Sequence, residues 1–161
     1  MRWSLPFALA ALACGAACSS QSTAPAPSTA AAPARHPVSG LEVIPLTIEQ
    51  NGKSHPFRVE VARTMEQQQK GLMFRTAMGP DEGMLFPSDT PEARSFWMKN
   101  TVIPLDIVFI GPDHLISNIA ANATPYSLDP IPSSGAAIAV LELNGGRAAQ
   151  LGIRPGARVS W

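Results

Sequence analysis

From residue 41 to the C-terminus the chain breaks into short runs whose apolar residues recur with the two-residue period of strands, separated by turn-forming clusters. Residues 41–48 and 56–61 read as two strands, with Asn51-Gly52 between them. That dipeptide is a strong hairpin signal because both residues tolerate positive φ. In the second strand Phe57, Val59 and Val61 share one face, and Arg58 and Glu60 the other. Thr64 with Gln67 three residues later makes a capping-box pattern, opening a short helix over 65–70 that stops at Gly71. Further strands are expected at 83–86, 95–99, 105–110, 114–120, 137–143 and 158–161, and a second short helix at 147–151 between Gly145-Gly146 and Gly152. Arg154-Pro155-Gly156-Ala157 carries Pro and Gly where a type II turn needs them. Many short strands and two small helices predict an α+β domain, mostly antiparallel β, built as a small barrel or curved sheet over residues 40–161.

The first forty residues follow a different pattern. Met1-Arg2-Trp3 is a short cationic start, and residues 5–13 are apolar and uncharged. That run is the length of a signal-peptide core and too short for the ~20 residues of a membrane-spanning helix. Small residues then precede Cys18, a pattern similar to the bacterial lipobox, so residues 1–18 read as a lipoprotein-type signal peptide with Cys18 as the lipidated residue and Cys14 as the competing site. Ser19 in place of Asp resembles an outer-membrane address on the periplasmic face. Residues 19–39 are Ser, Thr, Ala and Pro with almost no large apolar side chain, which predicts a disordered, semi-stiff linker.

Composition narrows the chemistry. Twelve Lys+Arg balance twelve Asp+Glu, which argues against a nucleic-acid partner, since that needs a basic surface. Both cysteines lie in the leader, so thiol nucleophiles, structural disulfides and Cys-based metal sites are excluded from the folded part. Of His36, His55 and His114, the first lies in the linker, and the other two stand alone, without a carboxylate or second His at ligand spacing, as surface residues do. No phosphate loop, dinucleotide fingerprint or Gly-x-Ser-x-Gly elbow is present, and no cofactor or metal is implied. Met65, Met73, Met78, Met84 and Met98 raise the idea of Cu(I), but Met73, Met84 and Met98 are each flanked by Leu, Phe or Trp as core filler is.

What stands out is charge inside apolar strands. In Leu105–Ile110 one face carries Leu105, Ile107 and Phe109, the other Asp106, Val108 and Ile110, so the strand is covered on both sides and Asp106 ends a buried face. Glu142 lies between Val140 and Asn144 on one face of another apolar strand. A buried carboxylate needs a cation or several donors, or it becomes neutral. Arg75 and Lys99 are the candidate partners, and with Asn100 and Thr101 they would form one polar cluster, either a network that fixes register or a binding or catalytic pocket. Trp97 beside it either stacks on a sugar ring or is buried in its strand.

Gly71-Leu72-Met73-Phe74-Arg75, Gly83-Met84-Leu85-Phe86 and Phe96-Trp97-Met98-Lys99-Asn100-Thr101 with Pro104-Leu105-Asp106 resemble the domain-of-unknown-function family 192 (DUF 192). The resemblance continues through Leu141-Glu142-Leu143-Asn144 to Gly156, covering the whole domain. It implies a compact secreted, lipidated or membrane-anchored module and supplies no reaction. It marks Arg75, Lys99, Asn100, Thr101, Asp106 and Glu142. Where the family has a single small residue before its glycine, this chain has Asn144-Gly145-Gly146, which implies a slightly looser loop.

Three readings follow. In the first, a non-catalytic cell-envelope lipoprotein module, held to the membrane by its lipid, binds a small polar ligand, a glycan or a protein through Arg75, Trp97, Lys99, Asn100, Thr101, Asp106 and Glu142. In the second, Asp106 and Glu142 are the acid–base pair of an envelope-polymer hydrolase or lyase, which requires them about 5–5.5 Å or ~6.5–9.5 Å apart for a glycosidase. In the third the cluster is purely structural. The position of Asp106 separates them: an enzyme needs it in an open site, and a structural role seals it against Arg75 or Lys99.

Overall fold

The computed structural model describes residues 34–161; the leader, Cys14, Cys18 and most of the expected linker lie outside the described residues. Seven strands form one sheet: β1 (Val43–Gln50), β2 (Lys53–Val61), β3 (Glu82–Phe96), β4 (Leu105–Ile110), β5 (Ile116–Ala123), β6 (Ile131–Asn144) and β7 (Arg158–Ser160). Their spatial order is β5-β4-β6-β3-β2-β1-β7. All pairings are antiparallel except β2 with β3, where Arg58–Val61 run parallel to Glu82–Leu85. The link between β2 and β3 is α1 (Met65–Lys70) and the loop after it, the helical crossover a parallel pair needs.

Twist curls the sheet until its edges meet. Leu115 bridges Arg158, Ile116 N–H donates to Ala157, and Val159 N–H donates to His114, so β5 and β7 protect each other. Alternation then separates two cores. Leu46, Ile48, Phe57, Val59, Leu85, Val108, Ile110, Leu141 and Val159 fill the concave side, sealed by Ala148 of α2 (Arg147–Leu151). Met84, Phe86, Leu105, Ile107, Phe109 and Val140 lie on the other face under Ala62, Leu72 and Met98. β4 is buried at all six positions because it lies between β5 and β6 with both faces covered.

The capping box forms as expected: Gln67 N–H donates to Thr64 Oγ1, and Thr64 N–H to Gln67 Oε1. Three details differ from the expectation. Residues 83–86 and the start of 95–99 belong to one strand, β3, whose ladder with β6 breaks at residues 88–91 and resumes at Glu92. Pro87 and Pro91 mark the break, but β6 continues opposite and recaptures the chain. The strand ends at Phe96, and residues 97–101 form a turn closed by Thr101 N–H to Met98. Residues 35–42, partly assigned to the linker, are a turn in which Arg35 bridges Glu42 and His36 N–H donates to Leu41.

Candidate functional site

The polar cluster expected from the sequence separates onto the two faces of the sheet. Cross-strand register pairs Asp106 with Leu143, and Ile107 with Glu142, so the two carboxylates point to opposite sides. Asp106 faces the concave core with no exposure. Its Oδ1 accepts the backbone N–H of Asn122 and of Gly146, and Oδ2 that of Ala148, each at 2.8 Å. It therefore takes the capping role that Gly146, with no side chain and φ of +82°, cannot fill at the start of α2. The acid–base pair of Asp106 and Glu142 is overturned by this register, and neither Arg75 nor Lys99 is a partner of Asp106. The loop at Asn144-Gly145-Gly146 is also tight. Gly145 N–H donates to Pro104, a Cβ at Gly145 would lie 2.6 Å from Asn122 Oδ1, and Asn144 Nδ2 holds the carbonyls of Met78 and Gly79.

Arg75 is committed elsewhere. Its guanidinium grips Glu60 with two hydrogen bonds, 2.9 Å to Oε1 and 3.1 Å to Oε2. Ser39 Oγ donates to the same carboxylate, and His36 Nε2 lies 3.6 Å from it. Glu60 is only 3 % exposed, although alternation had grouped it with the exposed Arg58. The turn over 35–42 and the chain leading to Arg75 cover that end of β2, a tertiary event with no local signal.

The remaining five expected residues come together. Trp97, Lys99, Asn100, Thr101 and Glu142 line a cleft of about 950 Å³ between α1, the loop after it and the bulge of β3. Glu142 stands in a cross-strand row running Ile107, Glu142, Met84, Glu60. Two strand spacings place Glu60 and Glu142 on one face roughly 10 Å apart between Cα atoms. Glu142 is 5 % exposed, and its Oε2 has no hydrogen-bond partner. Burial pushes its carboxyl pKa up from the ordinary 4.5 to about 8, so the group is protonated at neutral pH. The rim has the opposite character. Trp97 is half exposed, which removes the reading of a Trp buried in its strand, and Lys99 Nζ lies 5.2 Å over its ring.

Two features of this end were not visible in the chain. Gln68 and Arg94 brace the cleft wall: Gln68 Nε2 donates to Ala62 and Pro87, and Arg94 donates to Gln68 Oε1 and Ser88. Three non-glycine residues with positive φ also meet here. Phe74 (63°) donates its N–H to Asn100 (54°), and Tyr126 (63°) donates to Thr101. Phe74 and Tyr126 are 69 % and 59 % exposed. A left-handed backbone is unfavourable for bulky side chains, and here it presents two of them to solvent. Met84 and Met98 are fully buried as core filler is, whereas Met73 is half-buried and lines the cleft, its sulfur accepting from Asn100 Nδ2 at 3.8 Å; among the described residues no group of three His, Cys, Asp or Glu could hold a metal.

The same architecture is known elsewhere. A crystal structure of a protein of unknown function from Novosphingobium aromaticivorans is similar, with 57 % identity over 82 % of this chain and 94 % of that one, at a TM-score of 0.79. A crystal structure of a proposed transcription regulator from Sinorhizobium meliloti shares 39 % identity over 74 % of this chain and 94 % of that one, at a TM-score of 0.73. No curated protein matches. The family model described as DUF192, Uncharacterized ACR, matches residues 46–161, well over half of the chain. The protein therefore belongs to the domain-of-unknown-function family 192.

Proposed function

We propose that this domain is a non-catalytic binding module of the cell envelope, exported by its leader, lipidated at Cys18 and held at the periplasmic face of the outer membrane. Its cleft receives a small polar ligand or the end of a glycan. The export and anchoring parts of this reading rest on the leader pattern alone. The binding part is carried by one observation, the Glu142 carboxyl, buried without a partner for Oε2 in the wall of a cleft whose mouth carries an exposed Trp. A fold does not leave a carboxyl unsatisfied for stability, because burial without a hydrogen bond costs on the order of 1–3 kcal/mol. A buried polar group left unsatisfied in the wall of an open cleft is the mark of a site. The zero net charge gives no support to carrying over the regulator description of the Sinorhizobium protein.

The test is thermal unfolding of the full-length chain against envelope glycan fragments, nucleotides and metal ions, with Trp97→Ala alongside. A ligand at ~100 times its dissociation constant adds about 2.7 kcal/mol to stability. A shift that Trp97→Ala abolishes supports the cleft. Shifts that Trp97→Ala and Glu142→Gln both leave intact refute it.

A further inference from the structure

Three carboxyls of the described fold are buried, and the chain itself completes two of them. Glu60 receives the two-pronged Arg75 guanidinium and the Ser39 hydroxyl, and Asp106 receives three backbone N–H groups. Glu142 is as deep, and its Oε2 receives nothing. Its cross-strand neighbours Ile107 and Met84 have no donor to offer. The cations lining the cleft face other groups: Arg94 donates to Ser88 and Gln68, Arg63 to Glu42, and Lys99 lies on the Trp97 ring. Lys70 is exposed in the last turn of α1, and the acids Asp89 and Glu92 are exposed on the β3 bulge.

A neutral carboxyl at this depth has both an acceptor oxygen and an O–H to pair, its ionised form is completed by donors alone, and Glu142 lines the cleft from which such donors come. We infer that the ligand of this cleft carries a cationic nitrogen, a primary ammonium or a guanidinium, that pairs with Glu142. This rests on the cleft being a binding site and adds the chemical class of its occupant. The arrangement repeats with a ligand what Arg75 does for Glu60 two strands away. The Trp97 ring at the mouth already holds one ammonium, that of Lys99.

The pairing has a proton balance that a neutral ligand lacks. Glu142 is protonated at pH 7, because burial holds its pKa at about 8. Pairing with an ammonium requires the carboxylate, so the Glu142 O–H bond breaks, its proton passes to the buffer, and the ligand N–H donates to the oxygen. Each binding event at pH 7 therefore releases a proton from the protonated fraction of the group, which is the larger part of it there. A neutral hydroxyl or amide ligand releases none.

The experiment titrates the full-length protein at pH 7 with cadaverine and agmatine as cationic probes, and with glucose and N-acetylglucosamine as neutral ones. Calorimetry in buffers of different ionisation enthalpy counts protons, and the ¹³C shift of the Glu142 carboxyl reports its charge in the unmutated chain. The expected result is net proton release with a cationic probe, movement of the Glu142 carbon to its ionised position, and binding weakened roughly tenfold or more in Glu142→Gln. Cationic probes that leave the Glu142 carbon unmoved, or that bind Glu142→Gln as well as the unmutated protein, overturn the inference. If N-acetylglucosamine or glucose then binds and Trp97→Ala abolishes that binding, the cleft stands as a site and only the cationic class of its ligand is lost.

Discussion

Replacing Glu142 by Gln removes the titration and keeps the shape, so the ligand-free protein should reveal the cost of the buried acid through pH. In the unfolded chain the group titrates near its ordinary 4.5, and in the folded chain near 8. Between these values the folded state holds a proton that the unfolded state has given up, so stability is full below about 4.5 and falls as pH rises, until the loss is complete above about 8. That interval, at 1.36 kcal/mol per pH unit, is worth roughly 5 kcal/mol, a ceiling that water entering the cleft lowers. Urea unfolding of the protein and Glu142→Gln at pH 5, 7 and 9 isolates this effect, because every other titrating group is common to both. The stability difference should grow in favour of Gln by up to about 1.4 kcal/mol per pH unit between 5 and 8 and then level off. A pH-independent difference, or one that moves toward the Glu protein as pH rises, would refute the reasoning, because the carboxyl would then be ionised and already paired.

Other outcomes follow from the same contacts. Arg75→Ala strands Glu60 in the interior, with Arg75 11 % and Glu60 4 % exposed at the side chain, and should cost about 3–5 kcal/mol in urea unfolding. Arg75→Met with Glu60→Leu should recover most of that loss. Asp106→Asn puts an amide where N–H donors converge and should cost about 2–4 kcal/mol while leaving ligand affinity of the cleft unchanged, since Asp106 faces the other side of the sheet. Lost affinity in a variant that keeps its unfolding midpoint would contradict that placement. Phe74→Gly relieves a left-handed aromatic and sacrifices little burial, so thermal unfolding should change by no more than ~1 kcal/mol. A loss above ~2 kcal/mol would show that Phe74 packs as core.

The sequence by itself determined what short-range physics controls. Alternation, Asn51-Gly52 and the Thr64–Gln67 capping box specified the first hairpin and α1, and the doubly apolar run 105–110 announced a strand buried on both faces. It also marked Asp106 and Glu142 as buried acids, because a charge within an apolar period is visible in one dimension. Partners were not visible. Strand order and register decide whether two acids share a face, and a slip of one residue reverses the answer. The β4–β6 register therefore sent Asp106 to the backbone N–H groups around the start of α2 and Glu142 to the cleft. Glu60 carried the alternation of an exposed residue, yet the parallel pairing of β2 with β3 and the turn over 35–42 buried it against Arg75, 15 residues away in the chain. Local periodicity reports which side chains must leave water. Only the closed sheet decides which groups they meet there, because those contacts join residues far apart in the chain through strand order and register.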